Sequence, residues 1–143
     1  MNQNEAICAS QPENAPVVLL VEDEEVVREI TGQVLTHAGY DVLESGSPRE
    51  ALRVATKHPG KIDLLLTDVV MPEMNGVELA DRLHNLRPDL ITILMSGYTE
   101  GNAVRRISAA GSAVYIQKPF TIETLLARVA EALNGSARGE VTT

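Results

Sequence analysis

The stretch "LLLTDVVMPEMNG" at residues 64–76 joins a continuous apolar run directly to an aspartate and then to a Met-Pro break. Apolar runs of this kind are typical of strands buried on both faces of a sheet. The proline at position 72 favours an extended conformation at Met71, so the chain turns away soon after Asp68. The stretch therefore predicts a central strand that carries one carboxylate to its carboxyl end.

Apolar strands and amphipathic helices alternate along the rest of the chain. The predicted strands are 17–21, 41–44, 62–67, 90–95 and 113–117, and the predicted helices lie within 25–40, 47–60, 76–86, 100–111 and 121–135. This alternation indicates an α/β fold, in which a parallel sheet is covered on both faces and joined by right-handed crossovers. The order of the elements leaves the strand order open, and 2-1-3-4-5 is one of the common solutions for five strands.

Local signals mark the ends and faces of these helices. Ser47, Pro48 and Glu50 have the spacing of a capping box with proline at the first helical position. Gly39 stands where a glycine commonly ends a helix. In the first helix, apolar residues recur at helical spacing, namely Val26, Val27, Ile30, Val34 and Leu35.

Length and composition fit one domain. The chain has 143 residues, of which 44% are hydrophobic and 22% are charged. We expect an ordered domain at residues 16–134, preceded by a disordered lead-in at residues 1–15 and followed by a disordered tail at residues 135–143. The single cysteine, Cys8, excludes an internal disulfide.

Charge and hydropathy narrow the function classes. The formal net charge of −8 does not favour a nucleic-acid-binding surface, which needs a clustered basic face. The sequence contains neither an apolar run long enough for a membrane span nor a start typical of a secretory signal. We therefore expect a cytoplasmic protein that acts without a membrane or nucleic acid.

Polar side chains follow four of the five predicted strands. They are Glu22, Asp23 and Glu24 after the first strand, Asp68 after the third, Ser96 after the fourth and Lys118 after the fifth. Ligands of open parallel sheets bind outside the carboxyl ends of the strands, near the switch in strand order. With the order 2-1-3-4-5, these side chains gather around Asp68.

Such a cluster of carboxylates favours a divalent cation and leaves one carboxylate as a nucleophile. Two unit charges about 4 Å apart repel by about 4 kcal/mol at an effective dielectric of 20, and a cation removes this repulsion. Oxygen ligands suit Mg²⁺, which typically takes one or two carboxylates together with waters and phosphate oxygens. Asp68 then becomes a candidate nucleophile that forms an aspartyl phosphate, with Lys118 and Ser96 holding the phosphoryl oxygens.

Four segments together resemble the receiver domain of two-component response regulators. They are "VVLLVEDEE", "LLLTDVVMPEMNG", "ILMSGYT" and "YIQKPF", and the resemblance covers roughly residues 16 to 134. The segments "MSGYT" and "KPF" are especially similar to receivers attached to hybrid sensor kinases. The resemblance implies a flavodoxin-like (βα)5 doubly wound sheet with the strand order 2-1-3-4-5.

The resemblance also implies a role for each matching residue. Asp68 corresponds to the phosphoacceptor, and Glu22, Asp23, Asp68 and the backbone carbonyl of Val70 to the ligands of Mg²⁺ (or Mn²⁺). Ser96, Tyr115 and Lys118 correspond to the residues that bind the phosphoryl group and switch, and the Lys118–Pro119 bond is expected to be cis. Two positions depart from the commoner pattern, because Glu22 replaces an aspartate and Ser96 a threonine. Val70 and Tyr98 lie at positions that tune the phosphoryl lifetime, and we hypothesise a fairly stable phosphoform.

The function that follows is signalling by phosphotransfer. A sensor histidine kinase or a histidine phosphotransfer protein would donate the phosphoryl group to Asp68. Phosphorylation would reshape the surface of the predicted 100–111 helix, the fifth strand and the last helix, and a downstream protein would bind there. We expect no DNA-binding output domain. A free single-domain regulator and a receiver of a hybrid kinase both stay open.

Two other function classes share parts of this pattern. A metal-dependent phosphatase or phosphotransferase of the aspartyl-phosphate type would need a second acid/base aspartate two residues after the nucleophile, where this chain has Val70. A flavin-binding electron carrier would need a phosphate-binding loop rich in Ser, Thr and Gly after the first strand, where "VEDEE" would repel a phosphate in the absence of a metal. Both readings therefore rank below the receiver.

Overall fold

The computed structural model describes residues 15–97 and 114–137. Five strands run at Val17–Val21 (β1), Asp41–Ser45 (β2), Leu64–Asp68 (β3), Ile91–Ser96 (β4) and Val114–Gln117 (β5). Four helices run at Glu25–His37 (α1), Pro48–Lys57 (α2), Gly76–Leu86 (α3) and Ile122–Ala137 (α4). The predicted 100–111 helix and Tyr98 lie outside the described residues, as do most of the two predicted terminal segments. The predicted domain limits of 16 and 134 stay a prediction.

The strands form one parallel sheet in the order β2-β1-β3-β4-β5. This is the flavodoxin-like order, so the fold prediction is confirmed. β3 pairs with β1 on one side and β4 on the other, and all five of its residues are buried. Asp68 is the last residue of this central strand, and the sheet therefore fixes its backbone.

Side chains of the sheet alternate between two apolar cores, because successive residues of a strand point to opposite faces. Leu19 and Leu65 pack with α2 and α3 on one face. Leu20 and Leu66 pack with α1 and α4 on the other. The core consists almost entirely of aliphatic side chains, as the composition predicts.

The apolar residues of α1 do not all face the sheet. Leu35 is fully buried, but Val26 is 66% exposed and Ile30 is 54% exposed. Thr31 and Gly32 are buried instead, and a side chain at Gly32 would collide with the Glu44 carboxylate. The buried side of the helix thus combines Leu35 with two small residues that are less hydrophobic than valine or isoleucine.

The predicted helix ends are present, with one difference. Ser47 accepts a hydrogen bond from the Glu50 backbone N–H at 3.1 Å, and Pro48 is the first residue of α2. The Glu50 carboxylate accepts from the Gly46 N–H at 3.0 Å, one residue before the predicted partner. Gly39 has a φ of 103°, which explains the glycine after α1.

Hydropathy along the helices gives no membrane-spanning segment. Within residues 15–97 and 114–137, no helix combines the length and the apolar character that crossing a bilayer requires.

Candidate functional site

The carboxyl ends of β1, β3, β4 and β5 bring the predicted polar residues to one edge of the sheet. They surround an open cavity of about 300 Å³, which is lined by Glu22, Asp23, Glu24, Asp68, Val70, Met95, Ser96, Gly97 and Lys118. Parallel strands end at the same edge, and the order with β1 and β4 beside β3 places Asp68 in the middle. The cavity is therefore a direct consequence of the strand order.

The Lys118 ammonium contacts two carboxylates. Its Nζ atom lies 2.6 Å from Asp68 Oδ1 and 3.2 Å from Glu22 Oε1. The Lys118 backbone N–H donates to the Ser96 carbonyl oxygen at 2.8 Å, and the Lys118–Pro119 peptide bond is cis. The long side chain of Lys118, the residue directly after β5, thus reaches past β4 to the end of the central strand.

Three carboxylates form an oxygen-rich cluster beside this lysine. Single carboxylate oxygens of Glu22, Asp23 and Asp68 all lie within 4.8 Å of one another. Glu22 and Asp68 are buried, whereas Asp23 is exposed to the cavity. The second Glu22 oxygen accepts a hydrogen bond from the Glu24 backbone N–H at 3.2 Å. An open, all-oxygen cluster of this charge fits a divalent cation such as Mg²⁺.

The carboxylates differ in their affinity for a proton. Burial, together with the neighbouring Glu22, raises the pKa of Asp68 to about 8, although the Lys118 ammonium opposes this shift. For Glu22, burial also raises the pKa, but the hydrogen bonds with Asp68 and the Glu24 N–H and the charge of Lys118 outweigh it, so that the pKa is lowered. Their surroundings therefore favour the protonated form of Asp68 and the ionised form of Glu22.

Ser96 and Tyr115 are joined by their hydroxyl groups. The Ser96 Oγ atom hydrogen-bonds with the Tyr115 hydroxyl at 3.1 Å and lies 3.2 Å from the Gly97 carbonyl oxygen. Ser96 is buried at the end of β4, and the Tyr115 ring packs against Val69 and Leu94. A group that draws the Ser96 hydroxyl toward the cavity would therefore change the contacts of Tyr115.

The opening stretch contains one important residue to which no role was assigned from the sequence. Gly76 begins α3, and its N–H donates to the Val69 carbonyl oxygen at 2.7 Å. Any side chain at this position would collide with the backbone carbonyl of Asp68. A glycine at the first position of a predicted helix, eight residues after Asp68, was the available signal. Met95, which lines the cavity, carried no such signal.

Val70 lies on the cavity wall, and its side chain is 61% exposed. Of the site residues predicted from the sequence, the structure thus brings together all but Tyr98, which lies outside the described residues.

The fold and the site together define a class. It consists of flavodoxin-like α/β domains with a cluster of carboxylates and a lysine at the carboxyl edge of the sheet. Residues 18–130 match the family described as the response regulator receiver domain, and the chain belongs to this family. It is therefore a receiver domain of two-component signalling.

Its relatives include receivers of hybrid kinases. The chain is 38% identical over 125 residues to the sensor kinase CckA of Brucella abortus (strain 2308), a match that covers 87% of this chain and 13% of the kinase. The crystal structure of the receiver domain from the hybrid histidine kinase CckA gives a TM-score of 0.69 at 31% identity, covering 82% of this chain and 98% of that one. The predicted similarity to hybrid-kinase receivers is confirmed.

A second solved receiver domain has a higher TM-score. The CheY-like response regulator receiver domain protein from Methanospirillum hungatei JF-1 gives a TM-score of 0.77 at 30% identity. The match covers 88% of this chain and 99% of that chain.

Proposed function

We propose that Asp68 is the phosphoacceptor of this receiver and takes the phosphoryl group of a partner's phosphohistidine. The proposal rests on one observation. The Lys118 ammonium lies 2.6 Å from Asp68 Oδ1, and both residues line the same cavity as further carboxylates. Asp68 is held rigidly at the end of the buried central strand, and Lys118 is held beside it. This is the arrangement that positioned phosphoryl transfer needs.

The transfer exchanges one bond at phosphorus for another. An ionised Asp68 oxygen attacks phosphorus, the phosphorus–nitrogen bond breaks, and its electron pair stays on the imidazole nitrogen of the donor. Lys118 and the Ser96 hydroxyl are placed to bind the phosphoryl oxygens. Lys118 also favours the ionised nucleophile, because its charge lowers the pKa of Asp68 against the effect of burial.

The acidic cluster supplies the ligands for Mg²⁺ (or Mn²⁺). Glu22, Asp23, Asp68 and the Val70 backbone carbonyl would hold the cation, with Glu22 one methylene longer than the aspartate that is commoner at its position. The bound cation supplies positive charge that offsets the charge of the phosphoryl group. The fit rests on the carboxylate oxygen atoms within 4.8 Å of one another and on the raised pKa of Asp68, which reflects the repulsion that a cation would relieve.

Switching follows from the Ser96–Tyr115 hydrogen bond. A phosphoryl group on Asp68 draws the Ser96 hydroxyl toward it and releases the Tyr115 hydroxyl. The affected surface comprises β5, α4 and the predicted 100–111 helix, where a downstream protein would bind. A sensor histidine kinase or a histidine phosphotransfer protein is the proposed donor, and the cytoplasm the proposed location.

The phosphoform is proposed to be fairly stable. The exposed Val70 side chain and Tyr98 would hinder water from reaching the phosphoryl group. Loss of the phosphoryl group within seconds, measured as phosphate release, would contradict this. A metal-dependent phosphatase remains the second candidate, but Val70 offers no acid/base group beside Asp68, and we expect no turnover of small phosphate esters.

The experiment uses acetyl phosphate as the donor and intact-mass spectrometry as the readout. Wild type with Mg²⁺ should gain the mass of one phosphoryl group, and chelation of the cation should abolish the gain. Asp68→Asn should gain nothing, whereas the matched control Asp81→Asn, an exposed position on α3, should behave as wild type. No gain in wild type, or an equal gain in Asp68→Asn, would overturn the proposal.

A further inference from the structure

Arg28 of α1 reaches back to the loop that carries the acidic pair. Its Nη1 atom donates to the Glu22 backbone carbonyl at 2.8 Å, in a partly buried contact. This carbonyl belongs to the peptide group that joins Glu22 to Asp23. The guanidinium thus holds the plane of the peptide between the two acids.

The peptide on the other side of Glu22 is held as well. The Glu22 N–H donates to the Ser45 carbonyl oxygen at the end of β2, at 3.1 Å. Because both peptide groups that flank Glu22 are held, the backbone of Glu22 is fixed. The orientation of the peptide group that leads into Asp23 is fixed with it.

Asp23 depends on this backbone support. Within the part of the chain that the structure describes, no hydrogen bond or ion pair is found for its carboxylate, whereas Glu22 and Asp68 each contact Lys118. Groups that ligate metals are normally oriented by a second set of contacts. For Asp23 the available contacts are those of the main chain: Arg28 holds the peptide before it, and the Glu22 carboxylate accepts from the N–H of the peptide after it.

The loop after β2 leaves room for the guanidinium. A Cβ atom added at Gly46 would lie 2.9 Å from Arg28 Nη1. The Gly46 N–H is itself held by the Glu50 carboxylate of α2 at 3.0 Å. Gly46 is therefore fixed in place, and an alanine there would displace Arg28 without changing its chemistry.

We propose that Arg28 is a positioning residue for cation binding, acting through the backbone of the Glu22–Asp23 peptide. The proposal rests on the proposed function of the acidic cluster. Arg28 affects cation binding in two opposite ways, through its charge and through its contact with the backbone. Removal of a nearby positive charge should strengthen cation binding, whereas loss of the carbonyl contact frees the Asp23 backbone and should weaken it.

The test measures Mn²⁺ binding by the electron paramagnetic resonance signal of the free ion, with no phosphoryl donor present. Arg28→Ala should raise the Kd about tenfold. Arg28→Lys, which keeps one donor, should recover most of the affinity, and Gly46→Ala should weaken binding while Arg28 is retained. Arg53→Ala on α2 is the matched control, because it removes the same charge from an exposed position. It should change the Kd less than twofold.

Thermal unfolding of each variant separates positioning from loss of fold. If Arg28→Ala is folded and its Kd equals that of Arg53→Ala, or falls below it, the proposal is wrong. If Arg28→Ala does not fold, Gly46→Ala decides, and a wild-type Kd for that variant overturns the proposal. Asp23→Asn separates a failure of the proposed role of Arg28 from a failure of the proposed metal site. Wild-type Mn²⁺ affinity in Asp23→Asn would refute the metal site itself, and Arg28 could then have no role in it.

Discussion

At the scale of single residues, Asp68 combines burial, a carboxylate neighbour and a lysine. Burial and Glu22 favour its protonated form, and Lys118 favours the ionised form that a nucleophile requires. A pKa near 8 means that neither state is far away at neutral pH. The charge of Asp68 therefore depends on pH near neutrality.

The raised pKa of Asp68 makes folding stability depend on pH. Its folded pKa of about 8 lies above the ordinary value of 3.8, so the folded state binds more protons between these pH values and loses stability as the pH rises through this window. Asp68→Asn removes the effect. Without divalent cations, we expect this variant to be about 1–3 kcal/mol more stable than wild type near pH 8.

Urea unfolding at several pH values measures this difference. It should shrink toward zero as the pH falls well below 3.8, because Asp68 then carries a proton in both the folded and the unfolded state. A difference that does not vary with pH would contradict the assigned pKa direction.

Cation affinity should rise with pH for the same reason. A cation and a proton compete for Asp68, so Mg²⁺ should bind more tightly as the pH rises from about 6 toward about 9, with a proton released on binding near neutral pH. Isothermal titration calorimetry in buffers of different ionisation enthalpy detects that proton. The same binding heat in all buffers would show that Asp68 is already ionised.

The sequence predicted which residues form the cluster, but not all of the contacts that hold these residues in place. Glu22, Asp68 and Lys118 could be placed together because parallel strands end at one edge, which is a rule of topology. The contact of Arg28 with a backbone carbonyl depends on the exact position of α1, and no spacing in the sequence encodes it. The raised pKa of Asp68 likewise depends on burial that only the folded chain shows.

At the scale of elements, the β3–α3 connection holds Asp68 from behind. A Cβ at Gly76 would lie 3.0 Å from the Asp68 carbonyl carbon and 3.1 Å from the Val69 Cα atom, and such backbone atoms cannot move without shifting β3. We therefore expect Gly76→Ala to lower the free energy of unfolding by about 2 kcal/mol and to slow phosphorylation from acetyl phosphate.

Gly60→Ala is the matched control for this substitution. The nearest atom to a Cβ at Gly60 is His58 Nε2 at 3.6 Å, an ordinary contact. Urea unfolding and the rate of mass gain should both stay near wild type in the control. Equal behaviour of the two variants would contradict the tight approach of α3 to the end of β3.

Helix faces show where sequence patterns are insufficient. The α3 prediction is confirmed, with Leu79 and Leu83 fully buried. In α1, hydrophobicity alone favoured a stripe through Val26 and Ile30, but packing against the sheet selects the side with Thr31 and Gly32. Hydrophobic spacing alone therefore did not give the orientation of that helix.

At the scale of the whole molecule, the sheet edge at the carboxyl ends of the strands and the sheet edge at their amino ends have different roles. The carboxyl edge holds the site. At the other edge, Arg87 after α3 donates to the carbonyl oxygens of Ala55, His58 and Gly60 at 2.7–3.1 Å, tying the end of α2 to the approach to β3. Arg87→Ala should lower the free energy of unfolding by about 2–4 kcal/mol, because several carbonyls lose a charged donor.

Cation binding should be unaffected by Arg87→Ala, because the site lies at the opposite edge. Arg82→Ala, which removes an exposed ion pair with Glu78 on α3, should cost less than about 1 kcal/mol. Chemical denaturation and Mn²⁺ titration of both variants check the separation of the edges. Loss of Mn²⁺ affinity in folded Arg87→Ala would contradict it.

Strand order is the property of the whole molecule that the sequence pattern left open. Alternating elements indicate a parallel sheet, but the order comes from how helices cover both faces, and only the family resemblance pointed to 2-1-3-4-5. The structure resolves this, and the position of Asp68 between β1 and β4 follows from it.

The central claim is that Asp68 itself carries the phosphoryl group. The most direct measurement treats the protein with acetyl phosphate and Mg²⁺, reduces it with borohydride, and locates the product by tandem mass spectrometry of peptides. An aspartyl phosphate is reduced to homoserine, whereas a free carboxylate is not. We predict homoserine at position 68 and at no other aspartate. Unmodified Asp68 in a protein that has gained phosphoryl mass, or homoserine at Asp23 instead, would contradict the account.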